Sequence, residues 1–418
     1  MRICLVYDCL YPWTVGGAER WYRSLAEHLG SQGHSVTYLT LRQWPVAEPP
    51  VIPGVRVVAV GPGFSLYDGG RRRIWPPLRF GLGVFAYLAC YGRRHDIVHS
   101  ASFPYFAAIA GAVVQPLGRY RLVIDWWEVW TSSYWVDYLG PIKGRLGSVV
   151  QGLLARLPHQ AVCFSRLHAS RLRATGGPSG SIVRGVYPGP SPSFRPHPHH
   201  GESAAQHPRP VVVFVGRHIP EKRPEAIPPA VELARRSLRT LRAEILGDGP
   251  ERSRLERLIR RLGLASVIET PGFVSEAELD DRLRDALCLV LPSRREGYGL
   301  AVLDALSRGT PAVVVRGPDS AATDLIEPGV NGVIAASAAA QDLAAAILDV
   351  EAGGDVLRRS TAAWWSANRS KLSIESGLEE VLETYRSILA EPGRSIRWGT
   401  SLLPRAGGRG AAPSGPVR

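Results

Sequence analysis

Short runs of large apolar residues recur along this chain with amphipathic stretches between them. In the first half the runs are RICLVYD, SVTYLT, VRVVAV, DIVHS, LVIDWW and AVCFS, and from about Ala18 to Gly30 the apolar positions take helical spacing. Strands interleaved with helices pair in parallel, because each crossover helix carries the chain back to start the next strand in the same direction. From Val211 the alternation restarts with VVVFVGR, a helix near Pro224 to Leu241, AEILGDG and a helix near Glu251 to Gly263. It continues with SVIETPGF, a helix near Glu276 to Ala286, CLVLPS, a helix near Leu300 to Arg308 and PAVVVR. The pattern predicts an α/β protein with two doubly wound, Rossmann-like units.

PGPSPSFRPHPHHGESAAQHPRP separates the two series and has no periodicity. The expected organisation is an N-terminal domain over 1–187, a linker over 188–209 and a second domain over 210–370. A helix over 371–393 would pack back on the first domain. A tail over 394–418, poor in large apolar side chains, would be disordered. Ligands bind such sheets at the carboxyl ends of the strands, so the active site is expected in the cleft between the domains.

Length and composition narrow the class. A chain of 418 residues, 45% hydrophobic, is too large for one small domain. The N-terminal apolar run turns polar after about ten residues, too short for a secretory core. The longest apolar stretch, Leu78 to Tyr91, contains Arg79 and is shorter than the roughly 20 residues that cross a bilayer. A cytoplasmic protein is expected. Cys4, Cys9, Cys90, Cys163 and Cys288 show no metal or redox spacing, which predicts reduced, buried thiols.

Net charge is +13 and the isoelectric point near 9.9, with much of the excess as arginine in predicted helices. These arginines are not interleaved with aromatics, so no nucleic-acid partner is expected. The charge suits phosphorylated donors and peripheral contact with an anionic membrane at the inner face of the plasma membrane. Arg71, Arg72, Arg73 and the apolar stretch after Trp75 form the candidate patch.

Three segments carry candidate chemistry. SRREGYGLAVLDALSRGTPAVVV, Ser293 to Val315, leaves a strand, makes a glycine-bearing loop and starts a helix near Leu300. Gly297 and Gly299 allow close backbone approach, and the helix start favours a diphosphate. Glu296 stands at the mouth and Asp304 two helical turns on, as acceptors for sugar and ribose hydroxyls. In VVVFVGRHIPEKRPEAI a strand ends at Gly216 and Arg217, with Lys222 five residues later. These cations suit a departing diphosphate, and plain surface pairing explains them equally well. The third segment, YDCLYPWTVGGAERWYRSLAEHL, sets Gly16 and Gly17 before a helix, an anion-ready start or simply a turn.

Together these segments resemble the retaining glycosyltransferases of family 4, with the GT-B fold, over roughly Met1 to Tyr385. REGYGLAVLDALSRGTPAVV matches that family's two acids eight residues apart, and GRHIPEKRPEAI, ILGDGPERSRLE, TPGFVSEAEL and EPGVNGVI keep its order and spacing. The resemblance implies two Rossmann-like domains facing a cleft and a metal-independent transfer from a UDP- or GDP-linked sugar to a glycan or lipid-linked acceptor in envelope biosynthesis. It implies no cofactor. Glu296 would hold sugar hydroxyls, with Gly297, Tyr298, Gly299 and Leu300 at the sugar and diphosphate. Asp304 would accept ribose hydroxyls, Arg217 and Lys222 would grip the phosphates, and Phe273 and Val274 would edge the base. Gly216 and Gly247 complete the donor side, and Gly16 and Gly17 close over the diphosphate.

Two positions depart from the family. Asp304 stands where glutamate is usual, which leaves its ribose contact displaced or bridged by water. After RLVIDWWEVW the expected histidine is missing, and Asp125 or Glu128 is left to supply its polar contact. Trp126, Trp127, Trp130, Tyr134 and Trp135 would stack on a sugar acceptor, sit at a membrane interface or pack in the core. His99 reads as a satisfied core histidine. His197, His199 and His200 read as linker, and Asp280 with Asp281 as helix residues. A GT-B sugar-nucleotide epimerase and a nucleotide-sugar-binding protein with reduced catalysis are the alternatives.

Overall fold

The computed structural model describes residues 1–14, 16–63, 67–68, 71–72, 75–187 and 210–391. The predicted linker and tail, and Arg73 of the arginine patch, lie outside them, as do the side chains of Arg71 and Arg72.

Residues of the first half build a seven-stranded sheet. Its order across the sheet is Val55–Ala59, Ser35–Thr40, Arg2–Val6, Ile97–Ala101, Arg121–Trp126, Gln160–Cys163 and Ser181–Ile182. Every neighbouring pair is parallel. The second half builds a six-stranded parallel sheet, in the order Ile268–Gly272, Arg242–Leu246, Val211–Val215, Cys288–Leu291, Ala312–Val315 and Gly332–Ala335. In both, the first three strands run outward from one side of the starting strand and the rest from the other. Two crevices result, where the connections diverge to opposite faces.

Burial follows the runs read from sequence. Ile3, Leu5, Val98, Val123 and Val162 in the first sheet, and Val213, Ile245, Leu289 and Val313 in the second, are fully buried, as sheets covered on both faces require. The largest fully buried side chains include Trp21, Tyr22, Phe80 and Trp126.

The helices differ from expectation in length. Gly17–Ser31 is a full amphipathic helix, but the segment predicted over Pro224 to Leu241 is a 3-10 turn, Pro224–Ala226, and a short helix, Ile227–Ala234. Prolines at 224, 228 and 229 confine it, since each lacks a backbone donor and is tolerated only near a helix start. Ala340–Leu372 breaks at Gly354, where φ is 46°. The final helix, Ile374–Ala390, packs on the first half: His28 Nε2 lies 3.1 Å from Glu379 Oε1, and the Arg121 guanidinium donates to the Glu391 carbonyl at 3.2 Å. Four cysteines are buried as predicted, whereas Cys90 is exposed on the outer side of its helix.

Candidate active site

The crevice of the second sheet lies between Val211–Val215 and Cys288–Leu291, and the segments leaving those strands carry the predicted donor residues. Gly216 to Lys222 folds as tight turns, with Ile219 N–H on the Arg217 carbonyl and Lys222 N–H on the Ile219 carbonyl, both at 3.0 Å. The Arg294 N–H donates to the Glu221 carbonyl at 2.8 Å, tying this segment to the one that follows Leu291. Lys222 Nζ is thereby held 2.5 Å from Glu296 Oε2, with the side chains only 21% and 12% exposed. Ser293 Oγ lies 3.5 Å from the same oxygen. Arg217, in the turns that lead to Lys222, is exposed and makes no ion pair among the described residues.

On the other side of Val211–Val215 the strand ends meet through backbone. Gly216 N–H donates to the Leu246 carbonyl at 3.2 Å and Gly247 N–H to the Gly272 carbonyl at 2.8 Å. A Cβ on Gly247, where φ is 112°, would fall 2.0 Å from Gly216 O, so only glycine permits this approach. Phe273 follows at the end of its strand, 80% exposed, and Val274 is half-buried against the core.

Gly299, with φ 109°, starts the helix Leu300–Leu306. That helix is two residues shorter than expected because the chain turns at Gly309, and the Arg308 guanidinium takes the Asp304 carbonyl that a further turn would have used. The first half closes on this loop. A Cβ on Gly17 would lie 3.0 Å from Leu300 Cδ1, and one on Gly297 would lie 3.1 Å from Glu128 Cγ. The Tyr298 hydroxyl donates to the Arg184 carbonyl. Gly17, at the start of Gly17–Ser31, therefore faces the Gly297–Leu300 loop, while the space beside Gly16 is taken by Glu19.

Asp304 faces Tyr187. The phenol donates to Asp304 Oδ1 at 3.0 Å, and the Arg308 guanidinium stands 3.8 Å from the same oxygen. Burial raises the carboxyl above its ordinary range, against Arg308 and Tyr187, which pull it down. Among the described residues Oδ2 has no hydrogen-bond partner.

Asp125 stands at its expected strand end but does not open to the cleft. It is fully buried, with Oδ1 2.7 Å from His99 Nε2 and Oδ2 accepting the Trp21 indole N–H at 3.1 Å. The other ring nitrogen of His99 meets the Tyr385 hydroxyl. Both carboxylate oxygens are engaged, so Asp125 offers none to a substrate, and the residue beside Gly297 is Glu128.

The aromatic cluster is also committed within the protein. Trp126 is buried and gives its indole N–H to His159, while Trp127 stacks on Phe164 with centroids 3.6 Å apart. Trp130 and Tyr134 hold Arg295, whose guanidinium lies 4.5 and 4.9 Å from their ring centres, donates to the Tyr134 hydroxyl at 2.6 Å and stands 3.4 Å from Glu128. A cation between two aromatic faces and a carboxylate joins the halves next to Glu296. Beside it a cavity of about 270 Å³ opens between Tyr134 and Asp137 on one side and Arg223, Arg294 and Arg316 on the other.

Asp280 accepts from the Arg308 and Arg284 guanidiniums, a structural ion cluster. No group of three or more metal-ligating side chains occurs among the described residues.

Sequence reading missed Arg295, Tyr187 and Tyr385. Arg295 carries one signal, its place beside Glu296; the other two meet partners 117 and 286 residues away, with no local trace.

Comparison with known proteins agrees with this fold. The family model described as "Glycosyl transferases group 1" matches residues 198–363, and "Glycosyl transferase 4-like domain" matches 16–184. Alpha-D-kanosaminyltransferase of Streptomyces kanamyceticus is 31% identical over 43% of this chain and 46% of that protein, so the match spans under half the relative's length. D-inositol 3-phosphate glycosyltransferase of Kineococcus radiotolerans is 29% identical over 72% of each chain. In fold, a sucrose-phosphate synthase of Thermosynechococcus elongatus superposes with a TM-score of 0.73 at 18% identity, covering 93% of this chain and 99% of that one. HepE of Anabaena, solved in complex with UDP, gives 0.68 at 16%, covering 93% and 100%. With both halves matched and both sheets present, the chain belongs to the glycosyl transferases group 1, as a glycosyltransferase of the GT-B fold.

Proposed function

We propose that the protein transfers a sugar, with retention and without a metal ion, from a UDP- or GDP-linked donor to a glycan or lipid-linked acceptor of the cell envelope, on the cytoplasmic side of the membrane. The single observation that carries this reading is the Lys222–Glu296 pair at the crevice, 2.5 Å apart beside the Gly297–Gly299 loop. On donor binding Lys222 turns to the diphosphate and Glu296 accepts hydroxyls of the sugar. Arg217, exposed in the turns that lead to Lys222, adds a second cation. As the anomeric C–O bond to the diphosphate breaks, negative charge grows on the leaving oxygens. Preorganised cations in a cleft largely shielded from water stabilise that charge most strongly.

The acceptor oxygen bonds to the anomeric carbon on the face the diphosphate leaves, passing its proton to the departing phosphate oxygen, which preserves configuration. Support for retention is the resemblance to family 4. Support for the donor class is the fold shared with HepE, which has been solved with UDP-glucose. Asp304 Oδ2 is the acceptor for ribose hydroxyls.

A thermal-shift panel of nucleotide sugars tests the reading, followed by product analysis of the donor that binds. One donor should raise the melting temperature and turn over with retained anomeric configuration. If none binds, or if Lys222→Ala combined with Arg217→Ala leaves turnover unchanged, the reading fails.

A further inference from the structure

The helix Pro141–Arg156 buries Gln151, Leu154 and Ala155 and turns a second apolar stripe outward. Ile142, Leu146, Val149 and Leu153 are 83%, 64%, 66% and 45% exposed, at spacings of four, three and four that put them within one narrow sector of the helix. No described element covers them. The helix Tyr105–Gly118 packs on both Pro141–Arg156 and Trp75–Tyr91, and these two neighbours add exposed Val113 and Leu117, then Trp75, Leu82 and Phe85. An outward apolar surface spread over three adjacent helices is far beyond the scattered apolar residues normal on a soluble protein.

Charge identifies what covers it. Exposed Arg79, Arg93, Arg94, Lys143, Arg145 and Arg156 stand among or beside these apolar residues. Across Trp75–Arg94, Tyr105–Arg119 and Pro141–Arg156 there is no aspartate or glutamate. A second copy of the chain meeting this face about a two-fold axis would set cation against cation with no acid on the face to pair them. An anionic bilayer surface satisfies both features, taking the apolar side chains at the acyl boundary and the cations at the headgroups. No described helix is long and apolar enough to cross a membrane, so the contact is interfacial.

We propose that this three-helix face docks the protein on an anionic lipid bilayer. The face also leads to the cleft. Gly144 and Gly147 let the helix Ser132–Leu139 pack so closely that a Cβ on Gly144 would lie 2.3 Å from the Trp135 carbonyl oxygen. That same helix carries Tyr134 to Arg295. Two packed helices, Pro141–Arg156 and Ser132–Leu139, thus connect this face to Arg295. The proposal deepens the membrane-side reading above and rests on it only for the nature of the acceptor. Lipid binding is measured without donor or turnover, so its failure leaves the transfer reading standing.

The full chain is sedimented with vesicles of phosphatidylcholine alone and with vesicles that contain phosphatidylglycerol. Binding is expected to the second kind only, and to weaken in high salt. Lys143→Ala with Arg145→Ala should lower partitioning roughly tenfold or more, each cation near an anionic surface being worth about fivefold. Leu146→Glu with Val149→Glu should abolish it, with circular dichroism and melting temperature unchanged because both side chains face solvent. The proposal is overturned if phosphatidylglycerol vesicles bind no protein at low salt, or if both variants partition like the parent. Light scattering that shows a dimer broken by Leu146→Glu, without vesicle binding, would assign the face to self-association instead.

Discussion

Lys222 and Glu296 form an ion pair across the crevice of the second sheet, 2.5 Å from Nζ to Oε2, although 74 residues separate them in the chain. Each keeps the other's charge compensated where water has limited access. Removing the lysine takes away both the diphosphate contact and that compensation. Lys222→Ala should lower kcat/KM at least about 100-fold, or roughly 3 kcal/mol of transition-state stabilisation. Lys222→Arg should recover part of it. Glu296→Gln should act mainly through the sugar, raising donor KM and lowering kcat. Steady-state kinetics with the donor that binds decides this, and wild-type kcat/KM in Lys222→Ala would remove both residues from the reaction.

The Tyr187 hydroxyl donates to Asp304 at 3.0 Å and lowers its pKa, opposing burial, which raises it. Tyr187→Phe removes the donor, so the Asp304 carboxyl should rise further. A protonated acid accepts hydroxyls poorly, so donor KM should increase severalfold on the acid side and converge with the parent at high pH. The stability loss should be about 1 kcal/mol. Donor KM measured against pH checks this; a uniform KM change at every pH would mean that Tyr187 serves packing alone.

Arg295 crosses between the halves, with Trp130 and Tyr134 at its faces and Glu128 3.4 Å away. Arg295→Ala discards two desolvated cation–π contacts and leaves Glu128 less compensated, and should destabilise the protein by about 2–4 kcal/mol. Arg295→Lys keeps the charge without the planar stacking and should fall between. Urea denaturation gives the energies, and small-angle scattering should report a wider cleft. An alanine variant as stable as the parent would reduce this cluster to a surface contact.

Three histidines, His95 and His168 buried and His159 half-buried, make stability depend on acid. Burial pulls His168 down to about 3 and His159 and His95 to about 4. His168 Nδ1 accepts the Val129 N–H at 3.1 Å and His159 Nε2 accepts the Trp126 indole N–H at 3.1 Å, both roles of a neutral ring. The folded state therefore binds fewer protons than the unfolded one below the ordinary histidine range. Stability should be full above about pH 6.5 and fall as pH drops toward 4, by up to about 1.4 kcal/mol per pH unit for each histidine. Urea midpoints at pH 7.5 and 5.5 measure it, and His168→Asn should flatten the dependence. A midpoint that does not fall on acidification would contradict the assignment.

Much of the second crevice's local structure was legible because its signals are local. A buried strand, a glycine loop and a helix start are adjacent in sequence, so Glu296, Gly297, Gly299 and Lys222 declared themselves by type and order. Asp125 was misread because position at a strand end says which end of the sheet a residue occupies and not whether its side chain is already engaged. Its partners His99, Trp21 and, through His99, Tyr385 come from three distant elements. The tryptophans were ambiguous for the same reason, since an aromatic side chain suits a core, a cation or a sugar equally well.

By itself the sequence determined two parallel α/β units and the strand, glycine loop and helix start from Ser293 to Asp304, because periodicity and short motifs are properties of neighbouring residues. Only the tertiary structure decided that Lys222 pairs with Glu296, that Glu128 rather than Asp125 stands at the signature loop, and that Arg295 joins the halves. Those relationships depend on how two sheets and a returning helix pack, and packing brings together side chains whose separation along the chain carries no periodic trace.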